Sequence, residues 1–390
     1  MNIIYLGAFR LPNYDAAAPR VLNNARALRT LGNKVTFISW GGKYRQEDLC
    51  NDGKYRVDGF EYIISGDLPI GGSLKERLTT KFFRGKKSFK ILKSLPKPDL
   101  IVIYNADNAL SKRMIRYCKE NDIKLANDMN EWYANNELHL TDFLPNYINM
   151  TRTQHRVANK IVISSFLNNY YHDSNNILVP PLCDPNEEKW TTSIDDERIK
   201  PFNGITLIYA GTPARKDCIH TVINAVNALA NEGGAIRFLI LGTTREAYLQ
   251  QNSKNLKSQI LHDNIVFLGR VSQDLIPAYY KKADFMVLLR EPTRKSMAGF
   301  PTKFAESITA GVPVITNATS DLPKYIINGK TGFLVDGYDY DSIMFTLKNS
   351  VLTLRHNDIE EMKNYVKISS SSFDWHSYVD KFKIFLKNLK

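Results

Sequence analysis

The chain has 390 residues, enough for two domains that each bury a core of their own. With 43% hydrophobic and 24% charged residues it is not an intrinsically disordered chain, and no apolar run reaches the roughly 20 residues of a spanning helix. The formal charge of +12 implies an anionic partner: nucleic acid, a membrane surface or a phosphorylated substrate.

Met1 leads directly into the strand-like Asn2-Ile-Ile-Tyr-Leu6, without the basic flank and longer apolar region of a signal peptide, so a cytoplasmic location is expected. Strands follow near Ile3 to Gly7, Lys34 to Ser39, Asp99 to Tyr104, Lys124 to Met129 and Lys160 to Ser165. Between the first two, Val21, Leu22, Ala25, Leu28 and Leu31 recur at spacings of three and four and Gly32 closes the helix, a βαβ opening. The loop before that helix carries Ala16 to Ala18, small enough for a helix N-terminus to approach a ligand closely. From Lys75 to Lys97 nine basic residues face one acid, Glu76, and interleave with Leu78, Phe82, Phe83, Phe89, Ile91 and Leu92. This segment reads as a basic amphipathic helix for an anionic membrane surface, or as a solvated lysine-rich face.

Val179-Pro-Pro-Leu-Cys-Asp-Pro185 and the polar stretch after it have linker character. A second block repeats the rhythm, with strands near Thr206 to Gly211, Arg237 to Gly242, Asn264 to Gly269, Phe285 to Arg290 and Pro313 to Thr316, and helices at Ile219 to Asn231, Leu275 to Lys282, Lys303 to Ala310 and Asp321 to Ile327. The expected fold class is α/β, two Rossmann-like doubly wound domains. The expected division is residues 1–185, a linker over 186–202, a second domain over 203–370, and a C-terminal helix over 371–390 that can cross back to the first domain. Cys50, Cys118, Cys183 and Cys218 form no Cys-x-x-Cys pair and read as reduced thiols, not as zinc ligands or a disulfide frame.

Open α/β sheets bind ligands at the carboxyl ends of their strands, and the candidate residues all follow expected strands. In Tyr209-Ala-Gly-Thr-Pro-Ala-Arg-Lys-Asp217, Gly211 allows a tight turn, and Arg215 and Lys216 offer positive charge to a diphosphate. In Leu289-Arg-Glu-Pro-Thr-Arg-Lys-Ser-Met-Ala-Gly-Phe-Pro-Thr-Lys-Phe-Ala-Glu-Ser307, Pro301 starts a helix whose free amides at Thr302 and Lys303 face an anion with the dipole behind them. Glu306, one turn on, suits two neighbouring ribose hydroxyls. Arg290 ends a strand beside this site and is a further phosphate candidate.

The stretch from Gly299 to Asn317, with Ser320-Asp-Leu322 and Asn328-Gly-Lys-Thr-Gly-Phe-Leu-Val335, resembles the donor-binding signature of glycosyltransferase family 4, and within it the bacterial branch that builds capsular and surface polysaccharides. The likeness continues through Ala210 to Asp217 and reaches Asn127-Asp-Met-Asn-Glu-Trp-Tyr133 in the first domain. It implies a GT-B fold, two such domains facing across a cleft. It implies retaining transfer from a nucleotide-sugar donor, UDP- or GDP-linked, with no metal and no separate cofactor. Lys216, Thr302 and Lys303 match its phosphate-binding positions, Gly299 and Phe300 lead into them, and Glu306 matches the ribose-binding glutamate. Ala298 stands where most members carry a further glutamate, and Thr212 where an arginine often follows the glycine.

In the first domain Glu131 is the expected catalytic carboxylate, with Asp128 behind it; Glu131 also reads as a helix cap. Either the donor phosphate deprotonates the acceptor, or Glu131 polarises the acceptor hydroxyl. The acceptor is expected to be a lipid-linked glycan or an oligosaccharide met by a peripheral enzyme at the membrane face, and the charge is thereby accounted for without nucleic acid. The alternative is a non-catalytic GT-B protein that binds a nucleotide sugar or serves as an assembly subunit.

Overall fold

Alternate side chains of the first strand, β1 (Asn2–Leu11), enter two different cores: Ile3 and Tyr5 on one face of the sheet, Ile4 and Leu6 on the other. The period of two repeats in Leu100 and Val102 against Ile101 and Ile103, so helices must cover both faces. The computed structural model describes residues 1–67, 85–132, 140–213, 216–258 and 260–390. It divides into unit 1, Met1–Cys183 with Trp375–Lys390, and unit 2, Asp184–Asp374.

In unit 1, β1 is joined by β2 (Lys34–Gly42), β3 (Arg56–Val57), β4 (Phe60–Ile64), β5 (Leu100–Tyr104), β6 (Lys124–Met129), β7 (Asn159–Val162) and β8 (Asn175–Leu178) in the order β3-β4-β2-β1-β5-β6-β7-β8. All neighbours run parallel except β3 with β4. The helix Ala17–Thr30 covers one face through Val21, Leu22, Ala25 and Leu28, and the helix Asn108–Glu120 covers the other through Leu110, Met114 and Cys118. Strand order reverses between β1 and β5, and there Gly7 lies against Tyr104. A Cβ on Gly7 would meet the Tyr104 carbonyl at 2.5 Å, and its φ is +154°.

The C-terminal helix Val379–Lys387 belongs to unit 1: Tyr378, Phe382 and Phe385 enter the same core as Leu22, and Asn175 Nδ2 donates to the Phe385 carbonyl at 3.2 Å. Residues 186–202, read above as a linker, are instead part of unit 2. The Trp190 indole donates to the Asp184 carbonyl at 2.6 Å, Tyr279 OH to Asp196 at 2.8 Å, and Arg198 Nη1 to the Leu268 carbonyl at 2.7 Å. Polar composition here reflects paired groups.

In unit 2 six parallel strands, β9 (Ile205–Ala210), β10 (Ile236–Leu241), β11 (Ile265–Gly269), β12 (Phe285–Leu288), β13 (Val314–Asn317) and β14 (Gly332–Val335), take the order β11-β10-β9-β12-β13-β14. The order reverses between β9 and β12. The expected helix over Asp321 to Ile327 is only a 3-10 turn at Leu322–Lys324.

The basic segment is described from residue 85 onward, so Lys75, Arg77, Lys81 and Arg84 lie outside the described residues. Within it the helix Lys86–Ser94 turns Leu92 into the unit 1 core, with Phe89 packed against that core and edge-on to Tyr117. Its apolar side is therefore spent on the protein, which corrects the reading of this part as an inserting amphipathic helix. Lys86, Lys87, Lys90 and Lys93 are exposed.

Phe382 is fully buried. Phe382→Ala is expected to lower stability by about 3–5 kcal/mol in urea unfolding, whereas Lys383→Ala on the exposed side of the same helix stays within about 0.5 kcal/mol.

Candidate functional site

The reversal between β9 and β12 collects a set of charged side chains in unit 2. Asp217 follows β9 and pairs through its backbone with Arg290, which follows β12. Its side chain accepts from Arg290 Nε at 2.8 Å, from Lys303 Nζ at 2.9 Å and from Tyr209 OH at 2.7 Å, and Lys303 Nζ also donates to Tyr209 OH at 2.6 Å. Asn317, the last residue of β13, locks Arg290 from behind: its Oδ1 accepts from the Arg290 amide at 2.9 Å and its Nδ2 donates to the Arg290 carbonyl at 2.7 Å.

Gly211 makes the arrangement possible. Its φ is +130°, and a Cβ there would stand 2.6 Å from Lys303 Cε, so the lysine reaches Asp217 only over a glycine. Burial disfavours the Asp217 carboxylate, but Arg290 and then Lys303 outweigh it and hold the group well below the usual carboxylate range. Burial also pushes the Lys303 ammonium down; Asp217 restores it only in part, while Arg290 and the exposed Lys216 push it further down. One carboxylate thus stands among three cations, and the excess is positive.

That excess has free donors. An ammonium has three N–H bonds, and Lys303 uses two on Asp217 and Tyr209. Arg290 uses Nε on Asp217, and its two Nη atoms have no hydrogen-bond partner among the described residues. The helix Thr302–Thr309 begins at Pro301 with no side-chain cap and no acid in its first turn, so its leading amides add to the positive end. Chemically such an arrangement can hold an anion, a phosphate among them.

Glu306 lies one turn further on the same helix, half-buried, its carboxylate without a hydrogen bond among the described residues. Burial raises its pKa, and Lys189 and Lys303 oppose the rise. Thr302 is the first residue of the helix. Phe300 does not reach a ligand position: it is buried edge-on to Phe304 and Tyr325, in an aromatic cluster with Phe373, so its role is packing. Gly299 caps the helix Arg294–Ala298 in extended backbone that needs no glycine. Arg215 lies outside the described residues.

In unit 1 the two expected carboxylates part company. Asp128 is fully buried; Arg20 meets both its oxygens, with Nη2 at 2.7 Å, and Tyr5 OH and Asn24 Nδ2 complete it. Arg20 spends Nη1 on the Val179 carbonyl at 2.9 Å. A carboxylate consumed in this way fastens β6 to the first helix and to the chain after β8, which corrects its assignment to catalysis. Glu131 is half-buried and close enough to the Tyr104 phenol to raise its pKa, behind the larger effects of burial and Asp128. The helix N-terminus at Ala16 to Ala18 is also taken: Asp15 Oδ1 accepts from the amides of Ala17 and Ala18 at 3.1 and 3.0 Å.

Sequence reasoning passed over Tyr209, Asp217, Asn317 and Lys189. A polar side chain at the carboxyl end of an apolar strand, as at Tyr209 and Asn317, was the available signal.

Residues 192–367 match the family model for glycosyl transferases group 1, a match that takes in nearly all of unit 2. The chain is 23% identical over 208 residues to the capsular polysaccharide biosynthesis glycosyltransferase CapM of Staphylococcus aureus, covering 52% of this chain and 50% of that protein. It is 28% identical over 128 residues, 32% of each chain, to the GDP-mannose-dependent alpha-(1-6)-phosphatidylinositol monomannoside mannosyltransferase of Mycobacterium tuberculosis. The chain thus spans half or less of the length of these relatives. In fold, it is similar over 99% of its length to sucrose-phosphate synthase from Thermosynechococcus elongatus (98% of that chain, TM-score 0.71, 16% identity). It is also similar over its whole length to Anabaena HepE in complex with UDP and glucose (100% of that chain, TM-score 0.68, 13% identity). These likenesses establish two α/β units of the GT-B type.

Asp217→Asn removes one partner of a buried ionic cluster and is expected to cost about 3–5 kcal/mol at neutral pH. Because the native pKa lies below the unfolded value of about 3.9, the stabilisation is complete above that value and disappears as pH falls through the native pKa. Chemical denaturation between pH 7 and pH 2 is expected to show the wild-type advantage over Asp217→Asn shrinking only below about pH 4.

Proposed function

We propose that the chain, whose residues 192–367 match the family model for group 1 glycosyl transferases, transfers a sugar from a nucleotide-diphosphate donor to a glycan or lipid-linked acceptor in surface-polysaccharide synthesis. The observation that carries the reading is the cluster of Lys303, Arg290 and Lys216 around Asp217 beside an uncapped helix start, with the Glu306 carboxylate one turn away.

Departure of a nucleoside diphosphate develops one further negative charge on a diphosphate that is already anionic. Donors fixed in a partly dry site stabilise that charge without reorganising. Arg290 and Lys303 are held by Asp217 and Tyr209 before any ligand arrives, and protein cations supply the charge that a metal ion supplies elsewhere. Glu306, with a raised pKa and no hydrogen bond among the described residues, suits a ribose diol. In this reading Lys216, Thr302 and Arg215 also attend the phosphates, transfer retains the anomeric configuration, and Glu131 in unit 1 serves the acceptor hydroxyl. The donor class is uridine or guanosine diphosphate sugar: HepE is bound to UDP and glucose, and the mycobacterial relative is GDP-mannose-dependent.

One observation favours the non-catalytic alternative. Ala298, where most members of the resembled family carry a glutamate, is fully buried, so no carboxylate is offered from that position.

The membrane part of the reading rests on charge. Lys86, Lys87, Lys90, Lys93 and Lys97 are exposed with Lys112 and Lys119 on the next helix. No helix among the described residues is long and apolar enough to cross a membrane. Each lysine near an anionic leaflet contributes about 1 kcal/mol, screened by salt. Flotation with phosphatidylserine vesicles is expected to carry the protein at low salt and to release it at 0.5 M salt, and charge reversal at Lys86, Lys87 and Lys90 is expected to abolish it.

Thermal shift against UDP, GDP and their sugars, with and without EDTA, tests the donor site. A ligand at 100 times its Kd stabilises by about 2.7 kcal/mol. One nucleotide class is expected to raise Tm equally in both buffers and to fail with Glu306→Ala. If no nucleotide shifts the wild type, the catalytic reading falls.

A further inference from the structure

β14 is an edge strand of the unit 2 sheet, and a groove of about 640 Å³ lies between it and the helix Tyr340–Thr346. Phe333 and Leu334 line it from the strand, and Phe345 from the helix. Phe345 is 68% exposed, and Ile327 and Tyr338, on the segments that enter and leave β14, are exposed as well. Asp217, Arg290, Lys303 and Glu306 do not line the groove, so it is separate from the anion site described above. Apolar side chains gathered in this way around a concavity mark a place where another molecule sits.

The strand edge itself is largely closed. The Val314 amide donates to the Thr331 carbonyl at 3.1 Å, so Thr331, Phe333 and Val335 turn their main-chain groups to β13, and Gly332 and Leu334 turn theirs outward. The Gly332 carbonyl accepts from the Gly329 amide at 3.0 Å, and the Leu334 amide donates to Asn328 Oδ1 at 2.8 Å. An added strand would meet an edge already bonded to its own loop. What the groove offers is room for side chains.

Charge selects among occupants. Asp336 and Asp341 line the groove, both exposed, and no cation among the described residues lines it. Lysines next to it are turned to other partners: Lys330 to the Tyr365 ring, Lys348 to Glu232 at 3.0 Å and Lys257 to the Tyr340 ring. In a chain of net charge +12 this is a local inversion of sign. Such a rim repels an anionic leaflet. A second copy seated on the same groove by two-fold symmetry would set these carboxylates against themselves. A cationic segment meets neither penalty, and an apolar residue within it would fill the space beside Phe345.

We propose that the groove beside β14 docks a partner protein through a short cationic segment, with an apolar side chain set against Phe345 and flanking lysines or arginines facing Asp336 and Asp341. This goes beyond the glycosyltransferase reading and does not depend on it.

The test is fluorescence anisotropy at low salt, with the full chain and three labelled hexapeptides, KKLFKK, EELFEE and KKSSKK. The net charge of the chain works against the first and third, so preference for the first must arise locally. KKLFKK is expected to bind about tenfold more tightly than either control, and to weaken about tenfold with Phe345→Ser and with the pair Asp336→Lys and Asp341→Lys. All three positions are exposed, so Tm is expected to stay within about 2 °C of wild type, and the charge variants still decide the matter if Phe345→Ser does not fold. Equal binding of the three peptides, binding of none, or unchanged binding of KKLFKK by the folded variants overturns the proposal. Wild-type dimerisation in sedimentation that Phe345→Ser abolishes makes the occupant a second copy, and vesicle flotation lost in Phe345→Ser makes it a lipid surface; either result also overturns it. The UDP and GDP thermal shifts are expected to be the same in these variants as in wild type, so failure of the donor-site reading leaves the peptide result standing.

Discussion

A single buried carboxylate, Asp217, is the constraint on which the arrangement of unit 2 depends. Arg290 and Lys303 lie 73 and 86 residues from Asp217 in the chain and would repel each other at the β9/β12 reversal. With Asp217 between them they are held, and the Tyr209 hydroxyl ties the third corner. The cost is desolvation of four polar groups, which is met only because every oxygen of the carboxylate is engaged. The gain is not stability for its own sake. It is a pair of cations whose orientation is fixed within the protein, with the two Nη atoms of Arg290 left without a hydrogen-bond partner among the described residues.

Unit 1 contains a second buried carboxylate with the opposite outcome. Asp128 is saturated by Arg20, Tyr5 and Asn24, and Arg20 in turn directs Nη1 to the Val179 and Pro180 carbonyls. Four of its five N–H bonds are spent inside the protein, so the network is a fastening. The contrast turns on geometry: Arg290 engages Asp217 by Nε alone and keeps its fork, whereas Arg20 engages Asp128 through Nε and Nη2 together. Two Arg–Asp pairs that look alike in composition therefore differ in what they can offer a substrate.

The repeating strands and helices were legible because period and length suffice for elements buried on both faces, such as β1, β5 and β9. Other pieces were not: β3 has only two residues, β8 opens on two asparagines, and β4 and β14 were not expected as strands either. In the candidate site, Lys303 and Glu306 could be found because one helix turn relates them. Asp217 could not, because its importance arises from the adjacency of β9 and β12, a property of strand order that no local window contains. Phe300 misled for the same reason in reverse: beside a phosphate-type helix start it looked like a ligand contact, and Tyr325 and Phe373 claim it from elsewhere in the chain. Residues 186–202 misled because polar composition resembles a linker when its partners, Tyr279 and the Leu268 carbonyl, are far off in sequence.

The family likeness is uneven along the chain, matching residues 192–367 and thus unit 2. A physical asymmetry accompanies this. Holding a diphosphate requires cations and helix amides in a narrow arrangement, because misplaced charge is costly in a partly buried site, so few solutions exist and they leave a recognisable pattern. Holding a neutral sugar requires only amides and hydroxyls in reach of other hydroxyls, and many side chains on many strand ends can provide that.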